Sequence, residues 1–84
     1  MTINDNFFSG GSAAGNGYGA TISINMGTAC LEFIGNSATP VNSPVPYVFT
    51  GTGGTFNRTA GSDESTNTGT FMLTNVNPAG SCSQ

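Results

Sequence analysis

The clearest pattern along the chain is an alternation over residues 18–26. Tyr18, Ala20, Ile22, Ile24 and Met26 fall on one side, and Gly19, Thr21, Ser23 and Asn25 on the other. Successive side chains of an extended chain point to opposite faces, so this alternation predicts a half-buried strand. Gly27-Thr28 predicts a turn. Residues 29–34 predict a second strand, with Ala29, Leu31 and Phe33 on one face and Cys30, Glu32 and Ile34 on the other. Residues 18–34 are therefore a hairpin candidate with a tight connection at Gly27.

The same signals recur more weakly elsewhere. Residues 2–8 read as a first strand carrying Ile3, Phe7 and Phe8. Phe7 and Phe8 are adjacent and so face opposite ways, one inward and one toward a neighbour. Residues 9–17 are Ser, Gly, Ala and Asn, a flexible loop or wide turn. Residues 35–46 hold three of the four prolines, which predicts an irregular rigid connection. Residues 47–50 are a short run of β formers, and 55–58 another with Phe56 inward. Residues 59–67, holding Asp63 and Glu64, predict a surface loop. Residues 68–76 predict a last strand, ended by a turn at Pro78-Ala79-Gly80. No amphipathic helix of useful length emerges, because Gly, Pro and β-branched residues recur too often.

An apolar strand centre thus returns near Ile22, Leu31, Val48, Phe56 and Phe71 at uneven spacing. The expectation is an all-β fold of short strands, in a small disulfide-stapled sandwich or β-solenoid-like body. The expected organisation is residues 1–17 as an N-terminal strand and flexible Gly/Ser/Ala loop, and 18–84 as a disulfide-closed β domain. Cys30 and Cys82 are the only cysteines in 84 residues. Joined, they close a loop of about 50 residues, which in the chain-entropy picture stabilises the fold by roughly 4 kcal/mol. The alternative is two buried thiols.

Charge changes the picture mostly by its scarcity. The charged side chains are Asp5, Glu32, Arg58, Asp63 and Glu64, 6% of the chain against roughly 25% in ordinary domains. Solubility must then come from Ser, Thr, Asn and exposed backbone, as in turn-rich extracellular β proteins. One cation and a net charge of −3 do not suit a phosphate-binding surface, so no nucleic-acid partner is expected. No apolar run approaches the roughly 20 residues of a membrane span, so no membrane insertion is expected. The first residues lack the basic head and apolar core of a signal peptide. Export is expected to be encoded upstream and removed, or the chain to be an excised piece; paired cysteines fit an oxidising compartment.

The chemistry-bearing residues are few. Without His or Lys, Ser and Thr lack the base that activates a nucleophile, so no catalytic residue is expected. Two cysteines without histidine do not complete a zinc site, and no metal or cofactor is expected. Asp63-Glu64 lacks the spaced acids of a calcium loop. Gly10-Gly11 and Gly53-Gly54 are turn glycines outside any phosphate-loop pattern. Glu32 is expected to face outward, with Arg58 as a candidate partner. Asn57-Arg58-Thr59 matches a glycosylation acceptor. Threonines at 50 and 52, and at 66, 68 and 70, could form a flat array of the ice-binding kind, or be ordinary exposed strand residues. Tyr18 and Tyr47 are candidates for stacking against a sugar.

Several segments taken in order carry a resemblance: Ile22-Ser23-Ile24, Ala29-Cys30-Leu31, Gly35-Asn36-Ser37-Ala38, Tyr47-Val48-Phe49, Gly53-Gly54-Thr55-Phe56-Asn57, Asn67-Thr68-Gly69-Thr70, and Thr74-Asn75-Val76 through Gly80-Ser81-Cys82. Over residues 20–82 the chain resembles a C-terminal segment of bacterial secreted or surface proteins, the adhesin-like right-handed parallel β-helix proteins. The resemblance implies a secreted, non-catalytic segment that ends or caps a fibre-like body. The expected function is a structural or assembly module at the cell surface or outside the cell. It would form a homo-oligomer or filament through β-strand edges, with Ile3, Phe7 and Phe8 on an N-terminal strand donated to a neighbour. The alternative is a module that binds a glycan or cell surface through Tyr18 and Tyr47.

Overall fold

The computed structural model describes residues 1–9, 20–39 and 46–84. Among the described residues nine strands run in chain order: β1 Thr2–Asn4, β2 Phe7–Ser9, β3 Ala20–Ile24, β4 Thr28–Ile34, β5 Ser37–Thr39, β6 Tyr47–Gly51, β7 Thr55–Arg58, β8 Phe71–Thr74 and β9 Val76–Ala79. They form three sheets, ordered β1-β4-β7-β9, β2-β5 and β3-β6-β8. Every pairing is parallel. Thr2 faces Glu32, Ala20 faces Tyr47, and Tyr47 faces Phe71. The chain therefore winds as a solenoid. Coil one is β1, β2 and β3; coil two is β4, β5 and β6; coil three runs through β7 and β8; and β9 starts the next turn.

The hairpin predicted over residues 18–34 does not form. β3 pairs with β6, and β4 lies between β1 and β7. Alternation identifies a strand's faces but not its partner, and here the Gly27 corner turns the chain into the adjacent sheet. Gly54 sits in the equivalent corner one coil on. A Cβ there would lie 2.7 Å from the Gly27 carbonyl oxygen, so close stacking of the two corners requires a glycine.

Two strands predicted as continuous are broken by corners. Residues 2–8 divide into β1 and β2 around Asp5, and residues 68–76 into β8 and β9 around Asn75. Asp5 and Asn75 have φ of 59° and 54°, the left-handed conformation that Asp and Asn tolerate best after glycine. β5 was hidden in the stretch predicted to be irregular. β1 and β2 pair in parallel with β4 and β5 and so stack on the coil that follows.

The core fills the space between the sheets. Leu31, Phe33, Ala38, Tyr47, Phe49 and Phe56 are buried. Phe33 meets Tyr47 and Phe49 edge to face at 5.0 and 5.2 Å, and Phe49 stacks on Phe56 at 5.5 Å. Such pairs contribute about 0.5–1.5 kcal/mol beyond their burial. Most of these residues belong to coil two, which has a coil on either side. Their counterparts Ile3, Phe8, Ala20, Ile22, Ile24, Phe71 and Val76 pack against them but are only partly buried.

Cys30 and Cys82 are joined, with Cα atoms 5.9 Å apart. Leu31 faces the core, so Cys30 faces out, and the tail crosses the outside of the first sheet to reach it. Beyond the bridge, the Gln84 amide donates to the carbonyls of Met1 (2.7 Å) and Cys30 (2.8 Å) and accepts from the Thr2 hydroxyl (2.8 Å). The disulfide points to an oxidising, non-cytoplasmic environment. Among the described residues, no helix is long and apolar enough to cross a membrane.

Candidate functional site at the solenoid ends

An asparagine column runs up one corner of the stack. Asn36 Oδ1 accepts from the N–H of Asn6 (3.0 Å), and its amide donates to the carbonyl of Ile3 (2.9 Å). One coil on, Asn67 Oδ1 accepts from the N–H of Asn36 (2.9 Å), and its amide donates to the carbonyl of Phe33 (2.8 Å). Each rung bonds the coil before it by the same two contacts, which fixes the register of the coils. These residues escaped the sequence reading. Their signal was their spacing, 30 residues from Asn6 to Asn36 and 31 from Asn36 to Asn67.

At the last coil, residues 59–67 take the place of a strand beneath β4. The Ser62 hydroxyl accepts from the N–H of Phe33 (2.9 Å), and the Thr66 carbonyl accepts from the N–H of Gly35 (3.0 Å). The segment predicted as a surface loop thus buries Thr59, Ser62 and Asn67. Arg58 is in register with Leu31 and so faces inward, 5% exposed. Its Nε donates to the Asn77 carbonyl (3.0 Å) and Nη1 to the Ser62 carbonyl (2.8 Å). Burial lowers the Arg58 pKa, partly offset by Asp63. The candidate Glu32–Arg58 pair does not form, because the two lie on opposite faces of the sheet. Glu32 instead accepts from the Asn4 amide at 2.7 Å.

Asp63 accepts from the hydroxyl (2.5 Å) and N–H (2.9 Å) of Ser65. These bonds, with a smaller contribution from Arg58, hold its carboxyl below the usual carboxylate range. A cleft of about 300 Å³ is lined by Arg58, Asp63, Glu64, Ser65, Phe71 and Leu73. Leu73 is 41% exposed.

At the first coil, β1, β2 and β3 are each the outermost strand of their sheet among the described residues. The N–H of Ala20 donates to the Pro46 carbonyl, and the Ile24 carbonyl accepts from Thr52. Those residues therefore direct their backbone groups to β6, and Thr21 and Ser23 direct theirs to the open edge. No charged side chain lies on these three strands.

The remaining sequence candidates fall as follows. Ile3 and Phe8 pack toward the core and Phe7 is 67% exposed. β1 is seated against its own chain's β4, so what it offers a neighbour is its outer edge. Tyr47 is fully buried, with its hydroxyl donating to the Thr68 carbonyl at 2.9 Å. A sugar has no access to that ring, because it lies inside the coil. Tyr18 and Gly10-Gly11 lie outside the described residues. Asn57 accepts from the Asn77 amide at 2.7 Å. Of the threonines at 50, 52, 66, 68 and 70 only Thr50 lies on a strand, and Thr52 and Thr66 turn their hydroxyls to Asn25 and to the Gly61 carbonyl. Compared with known proteins, the chain matches no family model, no curated protein and no solved structure.

Proposed function

We propose that the chain is a non-enzymatic structural module of an extracellular bacterial surface protein or filament, and that it self-associates through β-strand edges. The observation that carries this reading is the first coil. Three uncharged strands lie at their sheet edges, and the apolar residues behind them are covered on one side only. An uncharged edge strand is a template for pairing with another chain. Repeat architectures commonly cover such ends with polar terminal repeats. The disulfide and the near absence of charge suit a protein working outside the cell.

The test is a single substitution at the edge. The N–H of Thr21 makes no bond to β6, so Thr21→Pro removes an outward donor while sparing the β3–β6 ladder. Analytical ultracentrifugation and electron microscopy should show wild-type assemblies that Thr21→Pro disperses into folded monomers. A wild-type protein that stays monomeric at several hundred micromolar contradicts the proposal.

A further inference from the structure

The two ends of the third sheet are complementary. Tyr47 N–H donates to the Thr70 carbonyl, and Tyr47 is in register with Phe71. In a parallel ladder that pattern directs the backbone groups of Thr70 and Met72 to β6 and those of Phe71 and Leu73 outward. β8 is therefore an edge strand of the same kind as β3, at the opposite end of the same sheet. The other sheets are less open at this end. β9 carries Pro78, which has no N–H, and Ser37 in β5 already bridges to Thr68.

We infer that two copies of this chain join head to tail, β3 of one adding in parallel to β8 of the other. This rests on the self-association proposed above and names its geometry. Within a chain, Ala20 stacks on Tyr47 and Tyr47 on Phe71, while Ile22 stacks on Phe49 and Phe49 on Leu73. Continued by one strand, the register places Ala20 of the second copy over Phe71, and Ile22 over Leu73. The small residue meets the aromatic ring, and the branched one meets the leucine exposed beside the cleft. The hydrogen-bond parity also agrees. The outward groups of Phe71 and Leu73 meet the outward groups of Thr21 and Ser23. Neither strand carries a charge, so no repulsion opposes the contact. Met72, 51% exposed on β8, lies in the column of Thr21 and Val48, and the added strand places a second Thr21 beside it.

Two blocked proteins test the polarity. Thr21→Pro closes the β3 end. Leu73→Lys closes the β8 end by setting a charge at the contact, while its stem keeps part of the packing. Each variant alone should dissociate at least tenfold more readily than wild type. Mixed in equal amounts, they should form a heterodimer of one copy each and nothing larger, since each supplies the end the other lacks. Sedimentation equilibrium with one partner isotopically labelled, followed by native mass spectrometry, reads this directly. The inference is overturned if Leu73→Lys alone assembles as tightly as wild type, which would mean a two-fold contact between first coils. It is also overturned if the folded variants, mixed, stay monomeric. If Leu73→Lys does not fold by circular dichroism, Leu73→Pro removes the outward N–H instead and takes its place in the mixture. A monomeric wild type would end both this inference and the self-association beneath it; assembly of the wrong polarity would end this one alone.

Discussion

The two ends of the solenoid meet the same physical demand in opposite ways. A stack of parallel strands finishes with unpaired backbone groups and a half-covered core. The last coil answers with polar side chains. Ser62 stands in for a strand carbonyl beneath Phe33, the Thr66 carbonyl serves Gly35, and the Arg58 guanidinium reaches carbonyls on two segments. No buried side-chain polar atom among the described residues lacks a partner. The first coil uses uncharged strands whose outer edges no other described strand covers. The comparison shows that a cap need not be a helix or a polar repeat. Residues 58–67, with the Arg58 guanidinium and the hydroxyls of Thr59 and Ser62, close the part of the last coil that lies beneath β4, while β8 keeps an open edge.

The sharpest way to break this comparison lies between the ends. Phe33→Ala removes a fully buried ring that touches Tyr47, Phe49 and Phe71. It should cost about 3–5 kcal/mol, enough to unfold much of the protein, as read by urea denaturation. Leu73→Ala, at the margin, should cost well under half of that, roughly 1 kcal/mol. Equal losses would mean that the ends are as well covered as the middle.

Next comes the bridge. Cys30→Ser with Cys82→Ser should lower stability by about 2–5 kcal/mol, and a reducing agent should do the same to the wild type. Ser62→Ala then probes the polar cap. It orphans the buried N–H of Phe33 and should cost about 1–3 kcal/mol, with amide exchange quickening first at Phe33. Arg58→Lys should be destabilising too, because an ammonium does not reproduce the forked donors that reach both Asn77 and Ser62.

The smallest effect is that of pH. The Asp63 carboxyl is held below its ordinary value of 3.8 by the Ser65 hydroxyl and N–H. A depressed pKa gives stability that is fully present above the unfolded value. It is lost as pH falls from there through the lower folded value. Acid titration of stability should therefore show a small extra decline below about pH 4, reduced in Ser65→Ala, which keeps only the backbone N–H bond. An undiminished decline in Ser65→Ala would place its source elsewhere.

What could be read from the sequence was the direction of side chains. The inward positions of Leu31, Phe33 and Phe56, the outward Cys30, the bridge to Cys82 and the all-β class follow from alternation, composition and cysteine count. Pairing could not be read in that way. Alternation over Ala20, Ile22 and Ile24 is the same whether the neighbour follows after a tight turn or a whole coil later. The polar cap was hidden for a related reason. Ser62 and Thr59 look like loop residues because their burial depends on the carbonyls and N–H groups brought over them from β4. Arg58 resembled a surface cation because it is charged, although alternation from Phe56 two residues earlier places it on the inward face.

The tail's attachment to Cys30 has a mechanical consequence. Tension applied between Met1 and Gln84 loads the Gln84 amide contacts and then the first coil. The covalent link between residues 30 and 82 shields everything between them from the load. The 29 residues ahead of Cys30 and the two after Cys82 can extend, by roughly 110 Å at about 3.5 Å per residue. Under pull, the molecule would behave as a short tether ending in a knot that does not slip.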